Sequence, residues 1–176
     1  MKAPLINGER IRLIPFTEKM VSKYYINWLN DPQVNHFLEV RHSKVTIEKQ
    51  RKIVKDYIES PNVFYWALAL KAGDTIGSVK LMTDKYGVGE IGILIGDSRY
   101  WNLGFATEAI HTLSDWVVSQ KIARKLSAGS YSRNEGSIKA FIKNGFEIEG
   151  LRKDHVVDES FGVTDIILLG KILGEP

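Results

Sequence analysis

Gly104 stands in the stretch SRYWNLGFATEA, residues 98–109, between two segments of different period. Before it, EIGILIG (residues 90–96) is a short apolar run of strand length. After it, Phe105, Ala109, Leu113, Trp116 and Val117 recur at helical spacing, with Glu108, His111, Thr112 and Asp115 on the other face. A strand-to-helix turn of this kind leaves the first backbone N–H groups of the helix without intrahelical partners. Together they form a positive end that can hold an anion, typically a phosphate. The turn carries neither the G-x-x-x-x-G-K-S/T nor the G-x-G-x-x-G pattern. In the strand ahead, Gly89, Gly92 and Gly96 predict a bulge or the close approach of another backbone or a ligand. A bulged strand feeding a phosphate-ready helix suits an elongated ligand, its amide-bearing arm along the strand and its pyrophosphate on the helix. Coenzyme A has that shape.

The elements that must position this turn read as a single mixed α/β domain over residues 1–176. ERIRLIPF alternates Ile11, Leu13 and Phe16 with charged residues and is a first strand. Thr17 is the candidate N-cap of a helix with Met20, Tyr24, Tyr25, Trp28 and Leu29, broken by NDP at 30–32. A second helix is expected from Thr46 to Glu59, with Ile47, Val54, Tyr57 and Ile58 inward. VFYWALAL, TIGSVKLM and GEIGILIG follow as three strands, then the helix at 104–120 and the strand RKLSAGSY. Asn134 opens a short helix through Ala140, Phe141 and Ile142, closed by Gly145. FEIEGLRKDHVV and VTDIILLGK make a last pair of strands around the turn DESFG.

Composition narrows the classes. The chain of 176 residues has a net charge of +3, and its basic residues are scattered, without the cluster a nucleic-acid partner needs. With no cysteine, disulfides and thiolate metal sites are excluded, and no metal is expected. No apolar run is long enough to span a bilayer and none resembles a signal peptide, so the expected location is cytoplasmic.

RYWNLGFATEA resembles the acyl-CoA-binding segment of the GNAT acetyltransferases, Q/R-x-x-G-x-G/A, most closely in the W-x-x-G-Y/F-A-T-E-A form of the RimJ/RimL-like branch. NEGSIKAFIKNGFEIEGLRKD, residues 134–154, resembles a second family segment, N-x-x-S-x-x-x-x-x-K-x-G-F-x-x-E-G, at the expected separation. The resemblance implies the GNAT acyl-CoA N-acyltransferase fold, with about seven strands in a mixed sheet and about four flanking helices. It also implies acetyl-CoA as cosubstrate and a primary amine as acceptor. That amine could belong to a nucleotide-linked amino sugar, a protein N-terminus or a small polyamine. A catalytically silent acyl-CoA-binding module is the alternative.

The resemblance places Leu94, Ile95 and Gly96 along the pantetheine amides. It places Asn102, Leu103, Gly104, Phe105, Ala106 and Thr107 around the pyrophosphate, with Trp101 in place of the usual Gln or Arg. Asn134 matches a cofactor-contacting asparagine and reads equally as a helix N-cap. Many relatives carry a tyrosine acid seven residues later; here that residue is Phe141, read as a core aromatic. Ser137 resembles the hydroxyl proposed for thiolate protonation in the ribosomal-protein branch. Glu90, a charge at the start of the central strand, is the candidate base for the attacking amine, with Asp154 and His155 next. Tyr24, Trp28, His36, Phe37, Arg41 and His42 lie in the segment that shapes the acceptor cleft in the family. A strand N–H near Leu94 or Ile95 could stabilise the oxyanion.

Overall fold

The run VFYWALAL is apolar almost throughout because strand β3 (Val63–Leu70) is covered on both faces. Phe64, Trp66 and Leu68 enter one apolar cluster; Tyr65 and Ala67 enter another. The computed structural model describes residues 2–158 and 162–174, and β3 lies within an eight-stranded sheet. The strand order is β1 (Ile6–Asn7), β2 (Ile11–Pro15), β3, β4 (Thr75–Thr83), β5 (Val88–Ile95), β6 (Lys125–Tyr131), β8 (Gly162–Ile172) and β7 (Glu147–Asp158). Neighbours are antiparallel except β5 and β6.

The α-helices are α1 (Lys23–Asn30), α2 (Pro32–Asn35), α3 (Ile47–Glu59), α4 (Phe105–Ser119) and α5 (Glu135–Ile142). One face of the sheet takes Ala109, Ile110, Leu113 and Val117 of α4 with Ala140 and Phe141 of α5. The other takes Tyr25, Ile26, Trp28 and Leu29 of α1 with Val54 of α3. Among the described residues no helix is long and apolar enough to cross a membrane, and no group of His, Asp and Glu could hold a metal.

The sheet and helix order agree with the expected fold, with β1 and α2 added to it. Four local readings are corrected. Thr17 caps no α-helix: it precedes a 3-10 turn at Glu18–Met20 without a side-chain cap bond, and Ser22 caps α1 by accepting from the Tyr25 N–H at 3.3 Å. Tyr24 consequently sits on the exposed side of α1. Strand β5 has no bulge, for its register with β4 is unbroken from Gly77↔Ile95 to Thr83↔Gly89. Thr112 is buried, since Gly8 of the β1–β2 turn leaves room for its hydroxyl; a Cβ there would stand 2.9 Å from Oγ1. The central residues of DESFG, 159–161, lie outside the described residues.

Candidate active site

Parallel pairing between β5 and β6 covers only Val88↔Lys125, Gly89↔Leu126 and Glu90↔Ser127. Beyond Glu90 the two strands diverge, while β5 stays paired to β4 and β6 stays paired to β8 up to Tyr131. A wedge therefore opens in the middle of the sheet without any bulge. The Gly96 N–H donates to the Ile76 carbonyl at 2.8 Å, so Gly96 and, by alternation, Leu94 turn their backbone groups towards β4. Ile93 and Ile95 turn theirs towards the wedge. Of the three strand residues expected beside the ligand, Ile95 turns its backbone to the wedge, Leu94 lines the cavity with its backbone paired to β4, and Gly96 is outside the lining. Gly96 serves by its size: a Cβ would fall 2.3 Å from the Trp28 ring.

The turn after β5 holds two left-handed residues, Asn102 (φ 59) and Gly104 (φ 83). Asparagine and glycine are the residues that adopt this conformation at least cost. Side chains of Ser22, Asp31, Thr46 and Asn134 cap α1, α2, α3 and α5, accepting from Tyr25, Gln33, Lys49 and Ser137 N–H groups. Helix α4 has Gly104 at that position and no side-chain cap. Its first N–H groups, on Phe105, Ala106 and Thr107, have no partner within the helix. They open on a cavity of about 600 Å³ whose lining includes Ile93, Leu94 and Ile95 of β5, residues 104–107, Asn134 and Ser137. Asn102, Lys139 and Lys143 also line it, whereas Leu103 lies at the exposed crown of the turn.

Three contacts that sequence reasoning missed hold this turn. The Trp101 indole donates to the Ile95 carbonyl at 2.8 Å, fastening the turn to the strand it leaves. Asn144 donates to the carbonyls of Thr107 at 3.0 Å and Ala140 at 2.8 Å, joining the start of α4 to the end of α5. Glu108 accepts from Arg10 Nε at 2.7 Å and from the backbone N–H of Arg10 at 2.6 Å and of Ile11 at 3.2 Å. Burial pushes the Glu108 carboxyl up, but these donors and the nearby charge outweigh it and hold its pKa below the usual range. No local sequence pattern signals the pairing of residues 98 positions apart.

Asn134 is the cap of α5, its Oδ1 accepting from the Ser137 N–H at 3.2 Å, and it also lines the cavity. Ser137 is half-buried beside it. Phe141 is 2 % exposed and packs edge-on against Phe146 with ring centroids 5.0 Å apart, so it is a core aromatic. Glu90 is exposed where the wedge begins, outside the cavity lining. Its neighbour Gly89 faces Leu81 and Leu126 on the α4 side, so Glu90 points to the opposite face, the one that carries α1 and α3. Asp154 and His155 are exposed on β7, Asp154 in the left-handed region within an irregular stretch of the β7–β8 register.

The N-terminal segment divides. His36, Phe37 and Leu38 line the cavity, and Trp28 is buried under Gly96. The Tyr131 hydroxyl, at the end of β6, donates to Glu39 and accepts from Arg41 Nη1 at 3.0 Å. Burial and the Glu39 carboxylate both raise the Tyr131 pKa, so the phenol keeps its proton at neutral pH. Tyr24 lies apart, donating to Asp97 at 2.7 Å, and His42 is exposed.

Residues 10–147 match the family model described as the acetyltransferase (GNAT) domain. A probable N-acetyltransferase, YjcK of Bacillus subtilis, is 28% identical over 118 residues, which are 63% of this chain and 65% of that protein. The match thus spans under two thirds of that relative's length. RimL, a ribosomal L7/L12 alpha-N-protein acetyltransferase solved with coenzyme A, superposes with a TM-score of 0.86 at 15% identity, over 96% of this chain and 98% of its own. Spermidine N-acetyltransferase from Vibrio cholerae, solved with CoA and spermine, gives a TM-score of 0.82 at 14% identity, over 93% and 96% of the two chains. At these identities the superpositions establish the shared fold.

Proposed function

We propose that this chain, which belongs to the GNAT acetyltransferase family, transfers an acetyl group from acetyl-CoA to a primary amine by direct attack in a ternary complex. The uncapped N-terminus of α4 at the mouth of the β5–β6 wedge carries this reading. Among the described residues it is the one α-helix N-terminus without a side-chain cap, and it opens on a cavity. Phosphate oxygens are the complement of such a terminus. The wedge-facing backbone of Ile93 and Ile95 suits the amides of an extended arm, much as a missing strand would be replaced.

In the reaction the amine nitrogen bonds to the thioester carbonyl carbon, and the carbon–sulfur bond breaks as the tetrahedral adduct collapses. The proton lost by the amine goes to Glu90, directly or through water, from the open face at the start of the wedge. A wedge-facing N–H of β5 donates to the oxyanion. Ser137 donates a hydrogen bond to the departing sulfur from the α5 side. A thiolate leaves readily, its parent thiol having a pKa of about 8.5 in the cysteine reference, so Phe141 in place of a phenol is no obstacle. The acceptor is an amine small or extended enough to reach the wedge past His36 and Phe37. RimL and the spermidine enzyme show that this fold serves both protein N-termini and polyamines. The reaction belongs in the cytoplasm, where acetyl-CoA is made available.

Acetyl-CoA should raise the melting temperature, by about 2.7 kcal/mol of stabilisation at a hundred times its Kd. Gly104→Val should remove the rise. Space is not the obstacle, since a Cβ at Gly104 meets only Arg10 Nη2 at 3.4 Å. A β-branched residue is excluded instead by the φ of 83°, and the turn must rearrange. A folded Gly104→Val protein with the full shift would remove the helix terminus from the site.

A further inference from the structure

The diphosphate turn is held from outside by a residue of the N-terminal strand region. Arg10 precedes β2, and its side chain reaches three parts of the turn at once. Its Nη1 donates to the Leu103 carbonyl at 3.1 Å, its guanidinium lies 4.5 Å from the centre of the Phe105 ring, and its Nη2 stands beside Gly104. Glu108, one helical turn further on, fixes the same guanidinium through Nε at 2.7 Å. The Glu108 carboxylate is itself held by two backbone N–H groups of the β1–β2 corner. The cation therefore has its position set by three separate anchors, the Leu103 carbonyl, the Phe105 ring and the Glu108 carboxylate, although half of its side chain is exposed.

A trans peptide directs its C=O and the following N–H to opposite sides. Holding the Leu103 oxygen against Arg10 therefore aims the Gly104 N–H away from Arg10. Gly104, in the left-handed region, carries no Cβ to confine its backbone, so the Leu103 tether is what fixes this peptide plane. We infer that Arg10, locked by Glu108, is a positioning residue for the cofactor, setting the peptide planes of the turn that receives the diphosphate. The inference rests on the proposed use of acetyl-CoA, and it adds a residue that the two sequence motifs do not contain.

Two acyl donors separate positioning of the turn from general support of the fold: acetyl-CoA, and acetyl-pantetheine, which has the thioester and amides but no phosphate. Arg10→Met should raise KM for acetyl-CoA about tenfold, the loss expected for a charge-assisted hydrogen bond, with kcat little changed. Its kcat/KM with acetyl-pantetheine should stay at the wild-type value. Glu108→Gln should move the same parameter in the same direction, and the double variant should be no worse than Arg10→Met alone, because the two act through one contact. Arg10→Lys, which keeps the charge but not the fork, should fall between and serves if Arg10→Met does not fold. An equal loss with both donors, an unchanged KM, or additive single effects would overturn the inference. A wild-type protein that turns over neither donor and binds no CoA would overturn the functional reading itself. Normal wild-type turnover with an indifferent Arg10→Met would overturn this inference alone.

Discussion

In the proposed reaction Glu90 takes the amine proton and Ser137 donates to the departing sulfur, so their substitutions should fail differently. Glu90→Gln keeps shape and hydrogen bonding but cannot take a proton, so turnover should fall about 10²–10⁴-fold with acetyl-CoA affinity retained. The low-pH limb of the rate profile should disappear with it. Ser137→Ala removes one hydrogen bond to sulfur, costing roughly 0.5–1.5 kcal/mol, about a factor of ten at most. Single-turnover acyl transfer at saturating acetyl-CoA distinguishes the two. A normal pH profile in Glu90→Gln would move the base elsewhere, and a thousandfold loss in Ser137→Ala would make the serine an obligatory acid. Residues of this kind are legible in sequence only as types: a carboxylate at a strand start and a hydroxyl at a helix start. That Glu90 faces α1 and α3 while Ser137 lines the cavity follows from the pleat and the cap, which the structure supplies.

At the scale of elements, the end of β5 is set by a compact ionic knot. Asp97 is 6 % exposed and accepts from Arg99 Nη2 at 2.7 Å, from the Arg99 N–H at 3.1 Å and from the Tyr24 hydroxyl at 2.7 Å. The Arg99 hydrogen bonds, opposed by burial and helped by Tyr24, lower its pKa from 3.8 to about 2. A carboxylate depressed in the folded state stabilises above its unfolded pKa and loses that contribution as pH falls through the folded value. Asp97→Asn should therefore cost about 1–3 kcal/mol near neutral pH. The gap between variant and wild type in denaturant titrations should close as pH drops from about 4 towards 2. A gap that stays constant across that range would show that Asp97 acts by shape and not by charge.

The same scale shows where sequence reasoning stops. Strands β3, β4 and β5 and helix α4 were readable because period and punctuation agree over eight or more residues. Thr17 is followed by a 3-10 turn and the buried Val21, and α1 begins only after Ser22, which caps it. The glycines of β5 signalled close approach but not its cause. Gly96 accommodates Trp28, and the opening beside the strand comes from where pairing with β6 ends. A parallel pair that separates after three residues leaves no mark in either strand's own sequence.

Across the whole molecule, the early end of β5–β6 pairing in an eight-stranded sheet creates the candidate site. The two covered faces supply rigidity, with Trp66 and Leu81 fully buried on one and Val54 on the other. The wedge breaks the hydrogen-bonded plane between them and presents backbone groups of β5 beside an uncapped helix. The two motifs were legible because each lies within about twenty residues of chain, and together they imply the fold. The ties that bring distant segments onto them were not. Arg10 with Glu108, Asn144 with Thr107 and Tyr131 with Glu39 are meetings that only the folded chain creates.

Release of free CoA thiol from acetyl-CoA, followed with and without a panel of primary amines, tests the central claim most directly. The panel should hold a protein N-terminal peptide, a polyamine and a nucleotide-linked amino sugar. Thiol release that depends on one class of amine, in step with formation of its acetyl amide and suppressed in Glu90→Gln, is the expected result. Tight binding of acetyl-CoA with no amine-dependent thiol release across the panel would contradict it and leave a binding module in place of an enzyme.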